Sequence, residues 1–456
     1  MNRRNFFHQL SRGAALAGLA FGGGRAGGAG AATTDPVSTP KLAPLKITTV
    51  KAILTAPARI RLCVVKVETS EPGLYGVGCA TFTQRIRTVV TAVNEYLAPF
   101  LAGKDPDNIE DLWQAMYQSS YWRNGPVLMN ALSGVDAALW DIKGKRAGMP
   151  LHQLLGGKCR AAVPVYRHAA GKTPEAVAEA ARRFMSEGVR HIRAQIGVEG
   201  QATYGSGPGA AVTNAPPKLV GEGHFAGELF EPAVYRRSVP KLFAYLRKEL
   251  GDDVELLHDM HERLPPIDAI GLAKELEPFR LFFLEDPFAP EDVGYFKILR
   301  QQCAVPIAMG ELFNNPNEWL DLVSGRLIDF IRCHLSQVGG ISAARKIAAL
   351  CEFYRVRTAW HGPGDVSPVG HAAHVHMDLA TWNFGIQECP NFSDALREVF
   401  PGTPEVRHGM LWCNEKPGLG IDVDEKLAAN YPIRDDPPAD LQWGRLRDRD
   451  GTIRRP

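Results

Sequence analysis

The chain has 456 residues, of which 45% are hydrophobic and 22% charged, and its formal net charge is +2. This is the composition of a globular protein, and it excludes a disordered, collagen-like or coiled-coil chain. The near-zero net charge does not show the excess of positive charge that is typical of nucleic-acid-binding proteins. No uncharged apolar run reaches the roughly 20 residues of a membrane span, so we expect no stable membrane anchor.

The first 34 residues contain four arginines and no Asp or Glu, and the rest of the chain therefore carries a net charge near −2. This segment has an Arg3-Arg4 pair, a weakly apolar stretch over 13–24 and small residues up to Ala31. The pattern resembles a twin-arginine export signal. We predict a signal peptide over residues 1–31 with cleavage near Ala31, and an exported, periplasmic protein.

After the leader, three β-branched segments bounded by Pro and Gly occupy 47–54, 60–69 and 74–82. Apolar residues at three- and four-residue spacing then predict helices over 87–101, 108–118 and 126–148. Strands followed by helices indicate an α+β domain, which we place at residues 46–155.

A different sequence pattern follows, in which eight short apolar runs alternate with predicted amphipathic helices. The runs occupy 163–169, 192–197, 254–261, 282–287, 306–312, 329–335, 357–363 and 383–388. Such a pattern predicts a parallel sheet covered by helices, and eight strands fit a (β/α) barrel, here over residues 160–390. The Gly/Pro-rich interval 197–231 is long enough to be a lid or binding loop. A C-terminal segment, 391–456, shows no repeat.

Three carboxylates recur at equal spacing in this barrel. Asp259, Glu285 and Glu311 are 26 residues apart, and we expect each to end a successive strand. Carboxyl ends of barrel strands meet at one rim, where active sites lie. Three converging anions repel each other unless a cation lies between them, and an all-oxygen set suits Mg²⁺. The spacing therefore favours a magnesium site over three separate helix caps or ion pairs.

Other polar residues are predicted at the same rim. His261 stands two residues after Asp259 and would face the same side on an extended chain. Arg193, Arg332, His361 and Glu388 belong to the second, sixth, seventh and eighth strands. By contrast, the spacing of His371, His374 and His376 does not place all three on one helix face. The eight cysteines are scattered without zinc-site spacing, so a second metal site is not expected.

Several motifs resemble the enolase superfamily and, within it, the mannonate dehydratase subgroup. They include GVGCAT, YWRNGPV, LLHDMHERL, FFLEDP, AMGELFN, HGPGDVSP and NFGIQE, and they span the chain from about residue 47 onward. The resemblance implies a modified (β/α)7β TIM barrel with an N-terminal α+β capping domain, on which the C-terminal segment packs back. It also implies Mg²⁺ on Asp259, Glu285 and Glu311, and a homo-oligomer.

The resemblance further implies a reaction. Tyr204, paired with Arg193, would remove the proton α to the carboxylate of D-mannonate or D-gluconate, and His261 would protonate the departing C3 hydroxyl. The product would be a 2-keto-3-deoxy sugar acid. Residues that match substrate-contacting positions of the subgroup are His168, Arg332, His361, Asp365 and Glu388.

Two departures from the subgroup leave alternatives open. Thr83 stands where Asn is common, and the chain ends at Pro456 rather than at Trp. A sugar-acid binding or sensing homologue with weak catalysis is one alternative. An acid-sugar racemase or epimerase is another, with His361 as the second base, although Arg332 occupies the position of that base's usual Asp partner.

Overall fold

The computed structural model describes residues 43–198, 219–434 and 444–455. Among these residues, no helix is both long and apolar enough to cross a lipid bilayer. The predicted leader, Tyr204 and Pro456 lie outside the described residues.

The N-terminal part of the described chain is an antiparallel sheet backed by helices. Its strands, β1 (Ile47–Thr55), β2 (Leu62–Thr69) and β3 (Tyr75–Cys79), pair in chain order. The helices are α1 (Ile86–Thr91), α2 (Ala98–Leu101), α3 (Ile109–Gln118), α4 (Pro126–Ala147) and α5 (Leu151–Leu154), with a π-helical stretch, Ala92–Leu97, between α1 and α2.

Two glycines of β3 explain how α4 lies directly on this sheet. A Cβ atom at Gly76 would come within 1.9 Å of the Ala138 carbonyl oxygen, and one at Gly78 within 2.0 Å of the Gly134 carbonyl oxygen. Any side chain at either position would push the helix away. The alternating glycines of the GVGC motif are therefore a packing requirement of the sheet and helix.

The barrel follows in chain order. Its strands are β4 (Val163–Gly171), β5 (His191–Ile196), β9 (Glu255–Asp259), β10 (Phe283–Glu285), β11 (Ile307–Met309), β12 (Phe330–Ile331), β13 (Arg357–Thr358) and β14 (Gln387–Glu388), while the short strands β6 (Leu219–Val220), β7 (Phe225–Ala226) and β8 (Glu228–Leu229) lie outside it. Within the described ranges, seven helices separate the barrel strands: α6 (Pro174–Ser186), α7 (Pro232–Leu250), α8 (Pro266–Leu276), α9 (Phe296–Gln302), α10 (Pro316–Ser324), α11 (Gly340–Tyr354) and α12 (Pro368–Ala380).

Parallel pairing runs from β13 through β12, β11, β10, β9, β5 and β4 to β14. A parallel bridge between Thr358 and Phe384 joins β13 to the chain entering β14 and closes the ring. The predicted architecture, a (β/α)7β barrel with an N-terminal α+β capping domain, is thus confirmed.

The C-terminal segment contains α13 (Asp394–Val399), β15 (Glu405–Arg407), β16 (Met410–Trp412), α14 (Glu425–Ala429) and β17 (Leu446–Arg447). Strand β16 pairs antiparallel with the start of β4, and β17 pairs with β8. The Thr55 hydroxyl of β1 donates a hydrogen bond to the Ala428 carbonyl at 3.0 Å. The segment therefore contacts both the barrel and the N-terminal sheet.

A buried carboxylate joins α4 to the barrel helix α11. Asp136 accepts hydrogen bonds from the backbone N–H of Ser342 at 2.9 Å and from its hydroxyl at 2.5 Å. Burial raises the pKa of Asp136 to about 7, although the hydrogen bonds from Ser342 oppose this. Since the folded protein holds this proton more tightly than the unfolded chain, the contribution of Asp136 to stability is lost as the pH rises toward 7.

We therefore expect Asp136→Asn to reduce the fall in the free energy of unfolding between pH 5 and pH 8. Each unit of pKa difference corresponds to about 1.4 kcal/mol, so this fall in the free energy of unfolding should be smaller by a few kcal/mol in the variant. Urea unfolding of both proteins at several pH values measures it, with the exposed Asp111→Asn as the matched control. Equal pH slopes for Asp136→Asn and the wild type would show that Asp136 is ionised throughout.

Candidate active site

The inward-facing residues of the barrel change from apolar to polar at the carboxyl ends of its strands. A central apolar cluster takes one residue from each of seven strand segments: Tyr166, Leu257, Phe283, Ala308, Phe330, Ala359 and Ile386. Side chains two positions apart in a strand point to the same face. Two positions after six of these residues stand His168, Asp259, Glu285, Arg332, His361 and Glu388. The polar site is therefore the direct continuation of the barrel core.

The strand β11 departs from this rule. Two positions after Ala308 comes Gly310, whose φ is 143°, and a Cβ there would lie 3.0–3.1 Å from the backbone of Arg332 and Cys333. The strand itself ends at Met309. Glu311 therefore reaches the rim from the turn after the strand, and the prediction that it ends the strand was wrong.

Two of the predicted metal ligands lie side by side. Asp259 and Glu285 are paired last residues of β9 and β10, and both are fully buried. An oxygen of each lies within 4.8 Å of an oxygen of Asp286, a residue not singled out from the sequence. Glu311 lies outside this group. Arg332 links Glu311 to Glu285, because Arg332 Nη1 lies 2.8 Å from Glu285 Oε1 and 3.0 Å from Glu311 Oε2.

A second guanidinium group lies among the same carboxylates. Arg193 Nη1 is 3.2 Å from Asp259 Oδ2 and 3.0 Å from Glu285 Oε1. Burial raises the pKa of Glu285 well above its ordinary value, and the charge of Arg332 opposes this rise. The positive charges of Arg193 and Arg332 thus offset part of the free-energy cost of burying these carboxylates.

The opposite side of the rim is a hydrogen-bonded group around Glu388. His168 Nε2 lies 2.7 Å from Glu388 Oε1, and Arg332 Nη2 lies 2.7 Å from Glu388 Oε2. The backbone N–H of Gly362 donates to Oε2 at 2.9 Å. Although burial opposes it, Arg332 and His168 hold the pKa of Glu388 well below its ordinary value. His168 is also linked to Arg193, whose Nη2 lies 3.2 Å from His168 Nδ1.

Two histidines converge on Glu311. His261 Nε2 lies 3.6 Å from Glu311 Oε1, and His361 Nε2 lies 3.3 Å from Glu311 Oε2. Against the effect of burial, His361, His261 and Arg332 lower the pKa of Glu311 to about 2. His261 has a φ of 50°, as does Glu262, so the chain turns immediately after Asp259. His261 does reach the rim, but the extended-chain argument for it was wrong.

The sequence reasoning missed two further buried contacts of the site. His334 Nδ1 lies 2.7 Å from His361 Nδ1, so these two imidazoles share one proton between those atoms. The Tyr166 hydroxyl accepts a hydrogen bond from Arg332 Nη2 at 2.8 Å. His334 follows Arg332 by two positions, and that alternation was the available signal.

The capping domain reaches the barrel rim through Thr83. Its hydroxyl lies 3.3 Å from Asp365 Oδ2, within hydrogen-bond distance. Burial raises the pKa of Asp365, and the nearby His361 opposes the rise. The residue that departs from the subgroup pattern is therefore in contact with a predicted substrate-binding residue. Tyr204, the predicted base, lies outside the described residues.

The oxygen atoms of the acidic group fit a hard cation. Both carboxylate oxygens of Asp259 and Oε2 of Glu285 are buried and, within the described ranges, receive no hydrogen bond. Leaving buried polar oxygens without a donor is costly. Carboxylate oxygens are also the donors that Mg²⁺ prefers. The side chains present are therefore suited to Mg²⁺.

Comparisons with known proteins agree with this geometry. Residues 176–427 match the family described as "Enolase C-terminal domain-like", and residues 33–156 match the "Mandelate racemase / muconate lactonizing enzyme, N-terminal domain". A D-galactonate dehydratase family member from Salmonella enteritidis PT4 is 54% identical over 425 residues, which cover 91% of this chain and 100% of that protein. The chain belongs to the D-galactonate dehydratase family of the enolase superfamily.

Other members of the D-galactonate dehydratase family are equally similar. The member RspA from Pantoea ananatis is 55% identical over 417 residues, covering 90% of this chain and 99% of that protein. A crystal structure of an enolase from Pantoea ananatis, which contains D-gluconate and Mg, superposes with a TM-score of 0.85. It is 55% identical and covers 90% of this chain and 100% of that one.

Proposed function

We propose that this protein is a Mg²⁺-dependent dehydratase of sugar acids that converts D-mannonate, D-gluconate or both to the 2-keto-3-deoxy acid. The observation that carries the proposal is the buried pair Asp259 and Glu285. Three of their four carboxylate oxygens receive no hydrogen bond within the described ranges, and such oxygens suit a magnesium ion. The Pantoea ananatis structure with D-gluconate and Mg supports the substrate class. Placement in the mannonate dehydratase subgroup rests on Tyr204 and Arg193.

Asp259, Glu285 and Glu311 would hold the magnesium ion. When bound, Mg²⁺ supplies positive charge to the substrate carboxylate and so makes the adjacent C2 proton more acidic. Arg193 and Arg332 supply further positive charge, because between them they contact all three of these carboxylates. The chain's own residues then carry the proton transfers.

Tyr204 would take the proton from C2 as its phenolate. The subgroup resemblance pairs Tyr204 with Arg193, whose guanidinium Asp259 and Glu285 hold in place. A guanidinium paired with a tyrosine favours the phenolate by its charge. His261 donates a proton to the C3 hydroxyl, which leaves as water while the C2–C3 double bond forms. The resulting enol takes up a proton at C3 and becomes the 2-keto-3-deoxy acid, so the reaction loses one water and no other atoms.

The group around Glu388 would bind the sugar hydroxyls. Glu388 is a buried, ionised acceptor held by Arg332 and His168, so its position is fixed before a substrate arrives. His361 and Asp365 extend the same surface toward the capping domain through Thr83. Polar groups held in this way discriminate between hydroxyl configurations, because a mismatched hydroxyl leaves a buried partner unsatisfied.

A panel of aldonic and uronic acids tests the proposal. The protein is incubated with Mg²⁺ and each acid, and semicarbazide detects the 2-keto product. We expect D-mannonate or D-gluconate to react. If no acid yields product but one binds in calorimetry, the protein is the binding or sensing homologue. Deuterium incorporation at C2 without loss of water would instead identify a racemase or epimerase.

Thr83 offers a test of the capping-domain contact. Thr83→Val removes the hydroxyl that faces Asp365, and a net hydrogen bond contributes about 1 kcal/mol. We expect the KM for the sugar acid to rise about five- to tenfold with little change in kcat. Thr83→Ser, which keeps the hydroxyl, is the control and should behave as wild type. Unchanged kinetics in Thr83→Val would show that the Thr83–Asp365 contact does not contribute to substrate binding.

We also propose that the protein is exported and forms a homo-oligomer. In a bacterial host with an active twin-arginine pathway, cell fractionation should find the processed chain in the periplasm, beginning near Ala32. Replacing Arg3 and Arg4 together by Lys should retain the unprocessed chain in the cytoplasm. Processing and export unaffected by that double substitution would contradict the twin-arginine assignment.

A further inference from the structure

A second group of potential metal ligands is formed outside the barrel rim by three segments that are distant in the chain. His152 belongs to α5, His376 to α12, and Cys413 follows β16. A ring nitrogen of each histidine and the Cys413 sulfur lie within 4.8 Å of one another. Both histidines are fully buried, and Cys413 is partly exposed. The fold thus assembles a set of two imidazoles and a thiol that the linear spacing did not indicate.

The hydrogen bonds around His376 fix which of its nitrogens is available. His376 Nε2 lies 3.2 Å from the Leu419 carbonyl oxygen, which can only accept, so this nitrogen carries the proton. His376 Nδ1 therefore has a lone pair, and it lies 3.1 Å from His152 Nδ1. The same lone pair accepts the His152 backbone N–H at 3.3 Å, and a bound cation would have to take its place. An imidazole with one nitrogen bonded to a backbone carbonyl and the other unprotonated is typical of metal-binding histidines.

His152 cannot satisfy both of its neighbours as a neutral imidazole. Its Nδ1 faces the His376 lone pair, and its buried Nε2 lies 3.4 Å from Glu415 Oε2 without a hydrogen bond between them. A single ring proton can serve only one of these two contacts. If the proton is on Nε2, facing Glu415, the His152 Nδ1 lone pair opposes that of His376, which has only the His152 backbone N–H as a donor. A cation beside both nitrogens would remove this repulsion.

We propose that His152, His376 and Cys413 bind a Zn²⁺ ion through the two Nδ1 atoms and the thiolate, with solvent in the fourth position. Zinc–nitrogen bonds of about 2.0–2.1 Å in a tetrahedral site place two nitrogens roughly 3.3 Å apart. The observed Nδ1–Nδ1 separation of 3.1 Å is close to that value. Glu415 and the Leu419 carbonyl then accept the two Nε2 protons and orient the rings.

The proposed zinc ion would fasten the C-terminal segment to the rest of the fold. The backbone there is already aligned, because the Leu151 N–H donates to the Gly418 carbonyl at 2.8 Å and the Gly418 N–H donates to the Met149 carbonyl at 2.9 Å. The ion would link residues 224 positions apart in the chain through His152 and His376. This role concerns stability and is separate from the proposed dehydratase chemistry at the barrel rim.

Cobalt substitution tests the site, since a thiolate bound to Co²⁺ gives a charge-transfer band that carboxylate ligands do not. The full chain is stripped with a chelator, supplied with excess Mg²⁺ to occupy the acidic group, and titrated with Co²⁺. We expect the charge-transfer band to saturate at one equivalent and to disappear when Zn²⁺ is added. Zn²⁺ should also raise the melting temperature in the presence of excess Mg²⁺.

Cys413→Ser should abolish both the band and the rise in melting temperature, whereas Cys159→Ser, at an exposed cysteine, should retain both. His376→Gln gives a second variant in case Cys413→Ser does not fold, and it should also lose the band. A wild-type protein without a charge-transfer band, or a Cys413→Ser protein that keeps it, would overturn the proposal. The two imidazoles would then be a hydrogen-bonded pair that shares one proton.

Discussion

Glu285→Gln is expected to lower kcat/KM for the sugar acid by about a thousandfold or more, because a metal ligand is lost and with it several kcal/mol of charge stabilisation. Glu285 Oε1 also lies 3.0 Å from Arg193 Nη1 and 2.8 Å from Arg332 Nη1. A neutral amide leaves both guanidinium groups with less opposing charge. We therefore expect Mg²⁺ affinity, measured by calorimetry, to fall together with activity.

The matched control is Glu277→Gln, which changes an exposed carboxylate that accepts a hydrogen bond from the Ala304 N–H. It should retain both Mg²⁺ binding and turnover. Asp286→Asn and Glu311→Gln then identify the third ligand. We expect Glu311→Gln to weaken Mg²⁺ binding more, because the subgroup resemblance makes Glu311 the third ligand. A larger loss in Asp286→Asn would give that role to Asp286, whose buried Oδ2 receives no hydrogen bond within the described ranges. Full activity in Glu285→Gln at ordinary Mg²⁺ concentrations would contradict the metal assignment.

His261→Asn is expected to separate the two proton transfers. The variant lacks the acid for the C3 hydroxyl, and loss of general acid catalysis costs about 10²- to 10⁴-fold in dehydration rate. Proton removal from C2 does not need His261. In deuterated water the variant should therefore exchange the C2 proton for deuterium, as nuclear magnetic resonance detects, while forming little 2-keto product.

Tyr204→Phe should lose both C2 exchange and dehydration, because the base itself is missing. C2 exchange therefore distinguishes the two variants. His408→Asn serves as the control for a histidine substitution, since His408 is exposed and its φ of 51° suits Asn. Loss of C2 exchange in His261→Asn would contradict its role as the acid for the C3 hydroxyl alone. Normal C2 exchange in Tyr204→Phe would contradict its role as the base.

Much of the barrel site was predictable because strand alternation is a local property. Asp259 and Glu285 follow apolar core residues by two positions, so their inward orientation can be predicted from the sequence. The same rule fails at β11, where Gly310 takes the corresponding position and Glu311 comes from a turn. A side chain at position 310 would meet the backbone of Arg332, which directly follows β12, and local spacing does not show this contact.

Other contacts depend wholly on the tertiary fold. His334 approaches His361 from a different strand, and Asp286 joins the acidic group only because the chain turns at a φ of 38°. The separation of His152, His376 and Cys413 along the chain hid their proximity as well. Spacing rules apply to one helix or strand, whereas this cluster is formed by the packing of α5, α12 and the C-terminal segment.

The most direct test of the central proposal is nuclear magnetic resonance of D-gluconate and D-mannonate incubated with the protein, with Mg²⁺ or with a chelator. We predict that the C3 methylene signals of the 2-keto-3-deoxy acid appear with Mg²⁺ and are absent with the chelator. Acids that remain unchanged in the presence of Mg²⁺, or that change configuration at C2 while keeping the C3 hydroxyl, would contradict a magnesium-dependent dehydratase.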